Sequence, residues 1–172
     1  NAKVVYAGSS SFYAGPYLNP YAFTKWQGEE VCKMFSEIYG LSTANARFFN
    51  VFGPGQPSEG TYATIVGIFE NQYKAGETLT ITGDGEQRRD FTHVNDILSG
   101  LILMSKDTWR GEIFNLGTGT NYSINELASM YQRDTKYIPK RPGEAKYTLA
   151  DISFTTEKLG FKPAIDLKDY VK

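Results

Sequence analysis

The first fifty residues set the frame. Residues 3–7 read as a short strand, a Gly/Ser loop follows at 8–11, and Asn19-Pro20 opens a helix. Asparagine is a strong capping residue, and proline at the first helical position loses no bond, because that N–H would be orphaned anyway. Gly40 ends the helix, glycine taking the left-handed closing conformation without a Cβ penalty. Residues 43–49 read as the next strand. Strand, helix and strand in that order imply parallel pairing, and α/β sheets place their chemistry at the strands' carboxyl ends. The helix carries Trp26, Val31, Cys32, Phe35, Ile38 and Tyr39 on largely one face, which is expected to be its buried side.

The alternation continues. A helix over 62–75 is stopped by Gly76, a strand over 79–82 precedes a Gly83-Asp84-Gly85 turn, and Ile97, Leu98, Leu101 and Ile102 mark a third helix before a strand at 113–116. Ser123 and Glu126 form a capping box, opening a helix that buries Leu127 and Met130. From about Tyr137 the chain is looser, with a short helix near 153–159. There is no internal repeat and no low-complexity tract. The fold class is α/β: a parallel sheet with a smaller α+β lobe. The chain starts directly on a strand, and the helix begun at Asp166 is cut by Lys172, so both ends read as cuts.

Composition excludes several classes of function. With 18 Lys+Arg against 19 Asp+Glu, the net charge of -1 provides no basic stripe for nucleic acid. No apolar run approaches the roughly 20 residues that span a bilayer, and no signal peptide is visible. Cys32 is the single cysteine, so there is no internal disulfide and no Cys-rich metal site, which points to a cytoplasmic setting. At 172 residues the chain is long enough for one domain, with roughly two-thirds of its unfolded surface buried.

Tyr21 and Lys25 are the first candidates for chemistry. Four residues apart on a helix puts them on one face, where an ammonium favours the phenolate of a tyrosine whose ordinary pKa is about 10. Such a phenol exchanges protons with a substrate hydroxyl near neutral pH. Alone, the pair reads more readily as a surface contact. The Gly8-Ser9-Ser10-Ser11 loop changes that, because it places hydroxyls at a strand's carboxyl end, where one can bond the same substrate oxygen. His93, the only histidine, stands too close in sequence to Asp96 for a hydrolytic triad and reads as structural. Cys32 reads as a small core residue.

The order of the motifs carries a resemblance. Tyr6-Ala-Gly-Ser-Ser-Ser-Phe-Tyr13, Tyr21-Ala-Phe-Thr-Lys25 and Arg47-Phe-Phe-Asn-Val-Phe-Gly-Pro54 come first. Gly83-Asp-Gly-Glu-Gln-Arg-Arg-Asp-Phe-Thr-His-Val94, Asn115-Leu-Gly-Thr-Gly119, Arg141-Pro-Gly-Glu144 and Leu149-Ala-Asp-Ile152 follow. Together they resemble the extended short-chain dehydrogenase/reductases that act on nucleotide sugars, the NAD-dependent epimerases and dehydratases. The resemblance covers nearly the whole chain.

It implies a site. Tyr21 would be the acid/base, and Lys25 would lower its pKa and hold the nicotinamide ribose. Ser9, or Ser10 if the register shifts, would be the catalytic hydroxyl. Phe49 would lie beside the nicotinamide and Asn50 beside the sugar diphosphate. Arg89 and Arg141 would grip the diphosphate, a guanidinium fork suiting phosphate oxygens, with Glu144 at the same end of the substrate. NAD is the implied cofactor, ahead of NADP; a UDP-linked sugar is the implied substrate and a homodimer the implied assembly. Residues 1–55 would be the remaining part of a Rossmann-like domain. Residues 56–172 would form mainly the substrate lobe, with about 88–118 returning to the sheet.

The sequence also departs from the pattern. A Gly-rich turn for the pyrophosphate does not precede Tyr21, and Gly117-Thr-Gly119 lacks the third glycine of that fingerprint; the chain resembles the family without its N-terminal Gly-rich half. Relatives that dehydrate sugars carry Asp and Glu where Ser10 and Ser11 stand, and the family's decarboxylases tend to carry a Glu there. The resemblance therefore implies an epimerase acting at carbon 4 of a UDP-hexose through a keto sugar. The alternatives are a reductase, a 3,5-epimerase, or a catalytically silent chain that binds a nucleotide sugar or a partner.

Overall fold

A computed structural model describes residues 2–60, 62–140 and 142–171. Its centre is a parallel sheet of β1 (Lys3–Ser9), β2 (Ser42–Phe48) and β7 (Arg110–Leu116), in the order β1-β2-β7. α1 (Pro20–Tyr39) connects β1 to β2 as expected. The Asn19 side chain accepts the Ala22 amide at 2.9 Å to start it, and Gly40 closes it at φ 65. Where a loop was expected after β1, Ser10–Ala14 winds into a 3-10 turn.

β2 is buried on both faces. Ala44 and Ala46 point into a core with Ile97, Met104, Phe114, Leu116 and Phe161. Thr43, Asn45 and Arg47 point the other way, toward α1. There the Thr43 hydroxyl donates to the Cys32 carbonyl (2.9 Å), Asn45 donates to the Gly111 carbonyl (3.1 Å), and Arg47 pairs with Glu29 at 2.6 Å.

That polar sheet face inverts the expected orientation of α1. The helix buries Ala22, Glu29, Cys32 and Ser36, while Val31, Met34, Phe35, Ile38 and Tyr39 stand exposed. The reason is complementarity. A sheet face carrying Thr, Asn and Arg demands hydrogen-bonding partners and small residues, and the helix turns that side inward. Cys32 is buried as expected, but through the polar side of its helix rather than the apolar one.

The other face of the sheet is covered by α3 (Val94–Ser105), and Leu159 of α5 (Ser153–Leu159) packs against the same core as Phe161. A second core gathers Phe52, Val66, Phe69, Leu79, Ile81, Phe91, Ile124, Leu127 and Leu167. It is built by β3 (Val51–Phe52), α2 (Ile65–Lys74), β4 (Leu79–Thr82), α4 (Ile124–Met130) and α6 (Leu167–Tyr170). α2 starts later than its apolar pattern suggested, because the Thr64 hydroxyl accepts the Gly67 amide (3.0 Å) and caps it there. The capping box at Ser123 and Glu126 forms as read, and Met130 is only half-buried.

Three two-stranded pairings join the pieces. β3 pairs with β6 (Thr92–His93), β4 with β9 (Thr135–Ile138), and β5 (Arg88–Asp90) antiparallel with β8 (Asn121–Ser123). His93 is structural: buried, capping α3 through Nδ1, and edge-on to Phe52.

Candidate active site

The carboxyl ends of β1 and β2 and the amino end of α1 converge on one cleft of about 440 Å³. Ser9 ends β1, and its Oγ accepts the Ser11 amide at 3.2 Å, which starts the 3-10 turn. Ser9 and Ser10 are both nearly buried, and the Ser11 Oγ has no hydrogen-bond partner among the described residues. Tyr21 is the second residue of α1, and its ring is 56% exposed toward the cleft it lines.

Lys25 stands one turn further along. Its Nζ donates to the Ala7 carbonyl at 2.9 Å and lies 5.8 Å from the Tyr21 ring centroid and 5.6 Å from that of Tyr6. One of the three ammonium donors is thereby anchored at the end of β1, and the group is held over the phenol ring.

The second half of the cleft comes from β5 and the segment 143–148. Arg89 on β5 is nearly buried; its Nη2 donates to Glu144 Oε1 at 3.3 Å and its Nη1 to the Arg88 carbonyl at 2.9 Å. Burial pulls its guanidinium below the ordinary arginine value, with Glu144 opposing, and it remains charged at any physiological pH. Arg89, Asn50 and Val51 also line an adjoining cavity of about 290 Å³, walled by Thr64, Thr80, Thr82, Phe91 and Glu144. The two cavities share Asn50, Val51 and Arg89 in their walls. A larger depression of about 1140 Å³ lies at the opposite end of the sheet, between Lys3, Tyr39 and Trp109, away from the Tyr21–Lys25 pair.

Phe49 and Asn50, both expected at the site, sit in different surroundings. Phe49 is fully buried, stacked 5.9 Å from Tyr13, whereas Phe48 lines the cleft. Asn50 lines the cleft, but its amide NH2 donates to the Asp90 carbonyl (2.9 Å) and to the Thr148 hydroxyl (3.0 Å). Only its oxygen remains unengaged, an acceptor that suits a hydroxyl and not a phosphate. Arg141 lies outside the described residues.

Sequence reasoning missed Asp90 as an organiser. Its fully buried carboxylate accepts the Thr118 amide (2.9 Å) and hydroxyl (2.8 Å), the Gly119 amide (3.0 Å) and the Ala150 amide (3.0 Å). It ties the Gly117–Gly119 turn and the 148–150 segment to β5, beside Arg89. An acidic residue directly after Arg88 and Arg89, before Phe91, is the signal the sequence offered.

Comparison with known proteins identifies similar chains. The NAD dependent epimerase/dehydratase family model matches residues 1–117. A putative UDP-glucose 4-epimerase of Methanocaldococcus jannaschii is 35% identical over 90% of this chain and 52% of its own length. A UDP-glucuronate 4-epimerase of Thermodesulfobacterium geofontis is 34% identical over 99% of this chain and 57% of its own. Among solved structures, a Thermotoga maritima UDP-glucose 4-epimerase with UDP-glucose superposes with a TM-score of 0.91 at 28% identity, covering 100% of this chain and 62% of that one. A UDP-N-acetylglucosamine 4-epimerase from Methanobrevibacter ruminantium gives 0.88 at 34% identity, covering 98% and 60%. The chain thus spans about half the length of the curated relatives it matches. By the family model, these relatives and the α/β fold they share with it, the chain belongs to the NAD-dependent epimerase/dehydratase family.

Proposed function

We propose that this chain carries the substrate side of a UDP-hexose 4-epimerase. The observation that carries the reading is the cleft lined by Ser9, Tyr21, Lys25 and Arg89, with Arg89 also lining, beside Glu144, a cavity of about 290 Å³. A hydroxyl, a phenol and an ammonium at one end serve a reacting sugar carbon. A nearly buried guanidinium at the other suits a diphosphate, and the adjoining cavity suits a nucleoside. The relatives' printed names, UDP-glucose and UDP-glucuronate 4-epimerases, support the same class.

The residues also fit one end of NAD. Lys25 keeps two of its three donors uncommitted at the end of β1, suited to a ribose diol, and Phe48 offers a flat face on the cleft wall. NAD, when bound, supplies the acceptor and donor of the hydride. Tyr21 takes the proton of the sugar 4-hydroxyl as the carbonyl forms and returns it when the alcohol re-forms on the opposite face. Ser9 donates a hydrogen bond to the same oxygen, and the Lys25 charge favours the phenolate through which Tyr21 acts. Arg89 holds the diphosphate, so that the sugar turns while the nucleotide stays anchored.

The exposed apolar stripe of α1, Val31, Met34, Phe35, Ile38 and Tyr39, supports a homodimer through that helix. A compartment with reducing conditions accords with the single buried thiol, Cys32.

The test is turnover of UDP-glucose to UDP-galactose by the purified protein supplied with NAD. Tyr21→Phe is expected to lower that rate by about 100- to 10,000-fold. Wild-type turnover in the Phe variant would refute the role of Tyr21, and a protein that binds neither UDP nor UDP-glucose by calorimetry would refute the nucleotide-sugar reading.

A further inference from the structure

Asn19 bonds at both ends of its side chain. Its Oδ1 accepts the Ala22 amide at 2.9 Å and so caps α1, while its Nδ2 donates to the Gly143 carbonyl at 3.1 Å. The two segments are 124 residues apart in sequence. Gly143 sits in the left-handed region at φ 71, packed against the Leu18 carbonyl and Asn19 itself. The next residue, Glu144, receives Arg89 at 3.3 Å. The loop at 142–146 is therefore fastened at one point to the start of the Tyr21 helix and at the next to the guanidinium between the two cavities.

We propose that Asn19 is a positioning residue that couples the 142–146 loop to Tyr21, so that a nucleoside diphosphate held at Arg89 and Glu144 steadies the phenol across the cleft. The inference rests on the nucleotide-sugar reading above. Tyr21 is 56% exposed, with the Lys25 ammonium over its ring, and its position follows from the first turn of α1. That turn is set by Pro20 and by the Asn19 cap. Asparagine alone among the strong caps joins a carbonyl acceptor to an NH2 donor; an ionised aspartate caps as well but has nothing to donate. Coupling of this kind is reciprocal: a ligand that orders the loop orders the helix start, and the reverse.

Asn19→Asp separates the two bonds. It keeps the cap, and its charge at a helix amino terminus is favourable, but its oxygen faces the Gly143 carbonyl and the tether is lost. The thermal midpoint is expected to stay at or above that of wild type. Amide exchange across 142–147, read by mass spectrometry without ligand, is expected to quicken. UDP binding, measured by calorimetry, should weaken by about three- to tenfold, the worth of one hydrogen bond. UDP should slow exchange of the Ala22 amide in wild type and not in the variant. Asn19→Ala, which loses both bonds, should lower the midpoint as well.

Loop exchange and UDP affinity equal to wild type in Asn19→Asp would overturn the proposal. So would protection of the Ala22 amide by UDP that persists in the variant. If wild type itself binds no UDP, the nucleotide reading fails, and the ligand-free exchange comparison still decides whether Asn19 tethers the loop.

Discussion

Removing the Glu29 carboxylate is the sharpest test of how α1 is held to the sheet beneath one half of the cleft. Glu29 lies one turn beyond Lys25 on α1, and Arg47 reaches it from β2 with Nε at 3.0 and 3.1 Å and Nη2 at 2.6 Å. Their side chains are only 2% and 6% exposed. The same guanidinium lies 3.8 Å from the ring centroid of Phe12, in the turn that follows Ser9. Glu29→Ala leaves that cation buried with no counter-charge, a change that costs about 3–5 kcal/mol. For a chain of this size each kcal/mol moves the midpoint by about 2–4 °C, so the expected drop is about 6–20 °C. The exposed pair Lys33–Glu37, with side chains 58% and 62% accessible, is the control: Lys33→Ala should cost no more than about 0.5 kcal/mol. The double variant Glu29→Leu with Arg47→Met restores an uncharged, similar volume and should recover most of the loss. Urea unfolding followed by circular dichroism reads these three variants and the Glu29→Leu and Arg47→Met singles. A Glu29→Ala cost below about 1 kcal/mol, or a double variant equal to the sum of its singles, would refute the reasoning.

Asp90→Asn sets an NH2 group against amide and hydroxyl donors that now converge on a carboxylate, and should cost about 3 kcal/mol or more in urea unfolding; a cost under about 1 kcal/mol would remove Asp90 as organiser of the 117–119 turn. On the alkaline side, burial pushes the Tyr170 phenol from 10.0 up to about 12, with Glu70 adding to the shift. A raised folded-state value means that its contribution is whole below about pH 10 and is lost as pH climbs through about 12. Stability measured across that window should therefore fall more steeply in wild type than in Tyr170→Phe, and identical slopes would contradict this.

Much of the fold was legible because it is written in local chemistry. Asn19-Pro20, Gly40 and the Ser123–Glu126 box mark helix ends through groups a few residues apart, and such signals survive without knowledge of the partner element. The Tyr21–Lys25 spacing and the Gly8–Ser11 loop were legible for the same reason, since one helical turn and one strand end suffice to place them. Which of the adjacent rings Phe48 and Phe49 lines the cleft was not, because it depends on how the end of β2 meets its neighbours.

The face of α1 could not be read locally either. Apolar spacing locates a stripe on a helix but does not say what the stripe meets, and here the sheet beneath offers Thr43, Asn45 and Arg47. Buried polar groups are paired where they can be, so the helix presents Glu29 inward to Arg47 and leaves Phe35 and Ile38 outside. The bonds from Asp90 to Thr118 and Ala150, and from Asn19 to Gly143, join residues 28, 60 and 124 positions apart. By itself the sequence determined the strand–helix–strand frame, the helix ends and the chemistry of the motifs. Only the tertiary structure decided which faces meet and which side chains share a cleft, because those depend on hydrogen bonds and burial between segments that no local pattern connects.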